Sequence, residues 1–154
     1  MEIPPFQTLL DEHRDDVYRF LVAIVGPNDA DDCFQETFVA ALRAYPRLRD
    51  ASNLRSWILT IAHRKAIDTH RARRRRPVPV EELPEPATAP TPDGEPELWQ
   101  AVRRLPAKQR ESILHRFIND LPYVEIGRIV GCSEAAARQN VRAGLTSLRG
   151  AWQP

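Results

Sequence analysis

Cysteine is scarce in this chain: only Cys33 and Cys132 occur in 154 residues. Two thiols so far apart exclude the disulfide framework of a small secreted domain, and neither has a CxxC partner. Buried structural thiols are the expected reading of both. Long apolar runs are missing as well. The longest are a few residues, far short of the ~20 that cross a bilayer. The opening Met1-Glu2-Ile3-Pro4-Pro5 has no basic stretch and no apolar core, so no signal peptide is expected. Together these absences predict a reduced, cytoplasmic protein without membrane insertion. Net charge is nearly absent too: 22 Lys and Arg stand against 21 Asp and Glu, so the overall balance identifies no partner. Catalytic furniture is equally thin. His63 and His70 lie seven apart, too far for the i, i+4 ligation of zinc helices, and no phosphate-cradling glycine loop occurs. No metal site and no cofactor are expected.

What the chain does have is uneven. Hydrophobic residues make up 42% and charged residues 28%, the composition of a globular protein. Seven of the fourteen prolines fall between Pro77 and Pro96, and the stretch from Pro77 to Glu97 carries six acidic residues and no basic one. Proline removes backbone donors and fixes φ, so neither helix nor sheet should persist there. The segment reads as an extended acidic linker, reaching up to ~65 Å at about 3.1 Å per residue. Residues 1–76 are net +2, the linker 77–97 is −6 and residues 98–154 are net +5. The near-neutral total conceals an acidic tether between two mildly basic domains.

Both flanking blocks carry helical periodicity. Phe6, Leu9, Leu10, Val17, Phe20, Leu21 and Ile24 recur at three- and four-residue steps up to Gly26-Pro27. Asn28 or Asp29 is a candidate cap for a second helix, with Cys33, Phe34, Thr37, Phe38, Ala41, Leu42 and Tyr45 as its buried stripe. Asn53 is placed to cap a third helix through Trp57, Ile58, Ile61 and Ile67 to Arg76. In the second block, Leu98 to Leu105 and Ile113 to Leu121 mark two helices, and Pro122 suits the first turn of another. Gly131-Cys132-Ser133 then forms a tight turn into a last helix from Glu134 to about Arg149, which should bury Ala137, Val141, Leu145 and Leu148. Helix, short glycine turn, helix is the helix-turn-helix spacing. The fold class expected is all-α: two small helical domains joined by a Pro-rich acidic linker, the C-terminal one a helix-turn-helix.

Three segments carry chemistry. On the last helix Arg138, Gln139, Arg142 and Thr146 should project outward, with Asn140 at the edge. Arg can pair with guanine O6 and N7, and Asn or Gln with adenine N6 and N7. A solvated face on an ordinary bundle helix is the bland alternative. The run Arg71 to Arg76 ends the third helix; with Trp57 on the same helix, it suits phosphates and a stacked unpaired base, or is simply favourable charge at a helix C-terminus. Asp32, Gln35 and Glu36 share one face of the second helix. That face reads as a solvated surface, a docking face for a basic partner helix, or, distantly, a hydrolase metal site with Asp31 and the histidines.

These segments together resemble the extracytoplasmic-function (ECF) sigma factors of the sigma-70 family of bacterial RNA polymerase. DDCFQETFVAAL (Asp31 to Leu42) and SWILTIAHRKAIDTHRARRR (Ser56 to Arg75) are similar to the domain that binds core polymerase and reads the −10 element. LPAKQRESILHRFINDLPYVEIGRIVGCSEAAARQNVRAGLTSLR (Leu105 to Arg149) is similar to the −35-reading helix-turn-helix. The resemblance implies a non-enzymatic promoter-specificity subunit. Asp32, Gln35, Glu36 and Phe38 match the D-x-x-Q-E-x-F segment that docks on the β′ clamp helices, with the β flap as a second polymerase contact. Trp57, Thr60, His63, Arg64, Arg71 and Arg74 are the −10 candidates. Ser133, Arg138, Gln139, Asn140 and Arg142 are the −35 candidates. The linker is expected in the active-site cleft and RNA exit channel. Promoter DNA and an anti-sigma factor are further expected partners, and the free protein is expected to be monomeric.

The chain departs from the family pattern in places. Arg64 replaces a frequent Asn in the −10 helix and suits a phosphate instead. Ala135-Ala136-Ala137 replaces Gly-Thr-Val at the start of the recognition helix. Gly127 replaces the usual Ala after Glu-Ile, which should weaken that helix by roughly 1 kcal/mol. The rival function is a helix-turn-helix regulator that binds DNA without polymerase.

Overall fold

The protein's computed structural model describes residues 3–75 and 96–151. The expected linker, residues 77–97, lies outside the described residues except for its last two. The chain divides into two compact units, Met1–Pro90 and Thr91–Pro154.

The first unit holds three helices, α1 (Phe6–Val25), α2 (Pro27–Ala44) and α3 (Leu54–Arg75), each packed on the other two. A short 3₁₀ turn, Tyr45–Arg47, follows α2. One residue joins α1 to α2. Gly26 sits at φ 88°, ψ 164°, a conformation closed to side-chain-bearing residues. Pro27 then opens α2 with a preset φ, so no side chain caps this helix, and Asn28 and Asp29 lie inside its first turn rather than at the cap. Asn53 does cap α3, its Oδ1 accepting from the Ser56 amide at 3.2 Å. Leu9, Val17, Phe20, Leu21, Ile24, Cys33, Ile58 and Leu59 form the core.

On α2 and α3 the buried stripe is rotated from the one hydrophobicity suggests. Leu42 is 55% exposed. On α3, Ser56, Leu59, Ala62, His63 and Ala66 are buried, while Trp57, Ile61 and Ile67 are only half-buried. Small alanines let three helices approach closely, and the larger side chains are displaced to the margin of the contact.

The second unit comprises α4 (Pro96–Arg103), α5 (Ala107–Phe117), α6 (Tyr123–Val130) and α7 (Glu134–Ala151). Pro122 is the N-cap of α6, in extended conformation, one position before the first turn expected for it. Gly131 ends α6 in the left-handed region (φ 85°, ψ 43°), and Lys108 donates to the carbonyl of Val130. Ser133 Oγ accepts from the Ala136 amide at 3.0 Å, capping α7 as expected. The helix-turn-helix thus has both helix ends satisfied. Ala137, Val141 and Leu148 are buried against α5 and α6, but Leu145 and Phe117 lie outside at 38% and 57% exposure. Gly144 permits the α5–α7 approach: a Cβ there would collide with Ile113 Cδ1.

Candidate nucleic-acid interface and docking face

On α2, Asp32, Gln35 and Glu36 are exposed together, as i, i+3 and i+4 spacing dictates. Val39 and Leu42, both exposed, continue the same stripe, so the face is acidic at one end and apolar at the other. Leu42 was missed because it also falls beside the buried Phe38 and Ala41. Phe38, which the family resemblance includes in the docking segment, is 8% exposed and packs inward as its place in the apolar stripe implies, its ring 4.8 Å from that of Phe34. It supports the face from behind. The Tyr18 hydroxyl, packed behind Asp31, is pushed above its ordinary pKa by burial and then by that carboxylate. Cys33, buried one position from Asp32, touches Thr69 at 2.9 Å across α3; burial raises its pKa, a shift the Thr69 contact opposes and the surrounding carboxylates reinforce.

α3 presents a second stripe. Trp57, Thr60, Arg64, Asp68 and Arg71 recur at three- and four-residue steps on its outer side, with Arg74 one turn further on. Thr60 is half-buried and its hydroxyl donates to the Ser56 carbonyl at 2.7 Å. His63, at 6% exposure, belongs to the inner stripe with Leu59 and Ala66, apart from the exposed −10 candidates. Within the arginine run, Arg73 is bound to Asp29 through two nitrogens, at 2.6 and 2.8 Å, fastening the end of α3 to the start of α2. Arg64, Arg71 and Arg74 are exposed and make no ion pair among the described residues. The basic run is therefore partly a clasp and partly an open cationic surface.

At the N-terminal end of α3 the structure adds Arg47, Arg49, Asp50 and Ser52, which the sequence did not mark. With the cap residue Asn53 they surround a depression of about 450 Å³ with Trp57 in its wall. The Trp57 ring stands 6.1 Å from that of Tyr45. Asp50 accepts from the Ser52 amide at 2.8 Å, a bond that holds its carboxyl below the usual range. An aromatic wall, two guanidinium groups and an ordered polar loop suit an unpaired base with its phosphates. These residues lie in a turn without periodicity, so only their arginines could have drawn notice.

In the second unit Ser133 serves as the cap already described, and Arg138, Gln139 and Arg142 are exposed on α7, with Asn140 half-buried at the edge. Arg138, Arg142, Thr146 and Arg149 form one stripe and line a surface depression together with Tyr123. Arg138 lies 3.5 Å from Glu134, and its guanidinium carbon is 4.9 Å from the centroid of the Tyr123 ring. Arg116 reaches the same ring at 4.6 Å. Neither Tyr123 nor Arg116 was foreseen, since the residues come from three helices. Cys132, expected to be buried, is only half-buried beside this turn. Among the described residues no cluster of His, Cys, Asp and Glu could hold a metal, and no helix is long and apolar enough to cross a membrane.

Comparison with known proteins agrees with this geometry. Residues 9–76 match the family model of sigma-70 region 2, and residues 96–148 that of sigma-70 region 4. The chain is 33% identical to the ECF RNA polymerase sigma factor SigD of Mycobacterium bovis over 92% of this chain and 74% of that one. It is 29% identical to the sigma factor CarQ of Myxococcus xanthus, covering 94% and 87%. Among solved structures, the sigma factor RpoE of Bartonella quintana, in complex with the anti-sigma factor NepR, matches with a TM-score of 0.77 at 22% identity, over 94% of each chain.

Proposed function

The chain belongs to the ECF sigma factors of the sigma-70 family, and on that premise we propose how its two units share the work of initiation. The protein binds core RNA polymerase and promoter DNA, directs promoter-specific initiation, and is not an enzyme.

Residues 1–76 and 98–154 act as separate domains tethered by 77–97. In the first, the α2 face of Asp32, Gln35 and Glu36, extended by Val39 and Leu42, docks on the β′ clamp helices. Acidic and apolar groups side by side suit a basic amphipathic partner. The depression beside Trp57 receives an unpaired base of the −10 element, while Arg64, Arg71 and Arg74 hold the adjoining phosphates. In the second, Arg138, Gln139 and Arg142 meet −35 base edges from the major groove, with Asn140 at the margin and Ser133 holding the helix start. The observation that carries this reading is the stripe Arg138–Arg142–Arg149 on the second helix of a helix-turn-helix whose turn is closed by Gly131 and Ser133. The linker, six carboxylates strong, occupies the polymerase cleft along the transcript's path, and the β flap holds the second domain. The site of action is the cytoplasm, and an anti-sigma factor covering one or both domains is the partner proposed for control.

Co-migration of the labelled chain with purified core RNA polymerase tests the docking half. The native chain is expected to bind and Glu36→Lys to lose binding at least tenfold. Undiminished binding by Glu36→Lys would remove the α2 face from the interface.

A further inference from the structure

Tyr123 opens α6, the first helix of the helix-turn-helix, and is half-buried. Two guanidinium groups converge on its ring. Arg138 comes from the recognition helix, 4.9 Å from the centroid, and Arg116 from the last turn of α5, at 4.6 Å. Two like charges gathered at one ring repel each other, and the negative face of the ring offsets this by attracting both. Each arginine is also tied on its far side. Arg116 donates to the Leu121 carbonyl at 3.1 Å, and Arg138 reaches the Glu134 carboxylate at 3.5 Å. A long side chain that would otherwise sample many rotamers is thereby held between a ring and a carboxylate.

Bidentate pairing with a guanine needs the planar guanidinium fork at a fixed place and tilt. Arg142, one turn further along, has no ring against it among the described residues. The two arginines assigned to base edges, Arg138 and Arg142, therefore differ: one is preset and the other is not. We propose that Tyr123 is a positioning residue for −35 recognition: its ring presets Arg138 for a single base pair and brings Arg116 to the neighbouring backbone phosphate. This rests on the −35 reading of α7 given above. Tyr123 touches no base in this scheme. Its influence passes through Arg138.

The test uses the full chain bound to core polymerase and a library of duplexes randomised through the −35 element. Arg138→Gln should flatten the preference at one base pair. Tyr123→Leu should flatten the same position by about two- to fivefold, the size of an exposed cation–π contact, and leave other positions alone. Tyr123→Phe keeps the ring and should restore the native pattern. Arg116→Gln should weaken binding to all sequences alike and reduce the salt slope by about one. Melting curves check that each variant is folded, and Tyr123→Gln, which suits a half-exposed first turn, replaces Tyr123→Leu if the latter is not. If Tyr123→Leu keeps the preference that Arg138→Gln loses, the positioning role is wrong and the −35 reading survives. If Tyr123→Phe fails equally and on every sequence, the hydroxyl is a plain phosphate donor and the proposal falls. If neither Arg138→Gln nor Arg142→Gln changes any preference, the −35 reading fails and this proposal with it.

Discussion

The two units bury different things. In the first, the core is apolar almost throughout, and its three buried polar side chains are Thr37, Ser56 and His63 among the described residues. Thr37 satisfies itself locally by donating to the Cys33 carbonyl at 2.7 Å. In the second, six consecutive residues of α5, Arg110 to His115, are buried, four of them polar, and Asn119 joins them. His115 Nδ1 and Asn119 Nδ2 lie 3.0 Å apart with both side chains fully enclosed. α5 packs on α6 and α7. Some of its enclosed polar groups are bonded, Arg110 donating to the Arg103 carbonyl at 3.2 Å, while Ser112 Oγ and Asn119 Oδ1 have no hydrogen-bond partner among the described residues. The first unit encloses mainly apolar side chains, and the second encloses polar groups of which only a part are paired.

The largest effect expected from this contrast is in the first core. Phe20→Ala, at a side chain with no exposure, should cost about 3–5 kcal/mol in urea denaturation. A loss below 1 kcal/mol would mean that the three-helix packing is loose enough to close over the gap.

The matching experiment in the second core is a cycle. Asn119→Ala should cost about 1–3 kcal/mol, because His115 keeps a buried nitrogen without that partner. Replacing both residues by leucine should cost less than the two single changes added together, since the contact that they share is then lost once rather than counted twice. Strict additivity would show that the pair is incidental and that the units do not differ in kind.

The thiols sharpen the comparison at smaller scale. Cys33 is sealed in the first core with its pKa raised, while Cys132 is half-exposed in the turn before α7. Alkylation of the native protein at neutral pH should modify Cys132 well before Cys33. The raised folded value also gives a sign for pH. The folded state holds the Cys33 proton longer than the unfolded chain does, so this contribution is present below the ordinary thiol range and fades as pH rises through the raised value. Stability of the first unit should therefore decline at alkaline pH, and Cys33→Ala should reduce the decline.

Much of this was legible in the sequence, for reasons that differ by region. The helix starts at Asn53 and Ser133 and the left-handed turn at Gly131 are local chemistry and could be read directly. The rotated stripes of α2 and α3 could not. Leu42 and Ala41 are adjacent, and only the partner helices decide which one is covered; the same holds for His63, a polar residue that the packing turns inward. Polar residues inside α5 defeat periodicity outright, because Arg110, Glu111 and His115 look like surface until the unit closes around them. The Tyr123 cluster lies further still from sequence, drawing on three helices at once.

Gly127 shows the same limit at the smallest scale. By propensity alone, Gly127→Ala should stabilise α6 by about 1 kcal/mol. The structure opposes this. A Cβ at this position would sit 2.5 Å from the carbonyl oxygen of Cys132 and 3.2 Å from the backbone of Ser133. These are backbone atoms, and the same turn already commits the Gly127 carbonyl to the amides of Gly131 and Cys132, at 2.8 and 2.9 Å. Shifting them would move Ser133 and with it the start of the recognition helix. A contact this close to backbone atoms outweighs the gain in propensity, so Gly127→Ala should lower stability by about 1–3 kcal/mol. A full 1 kcal/mol gain in thermal or urea denaturation would show that the turn yields freely. The tight register between α6 and α7 would then be a feature of this arrangement that the second unit does not need.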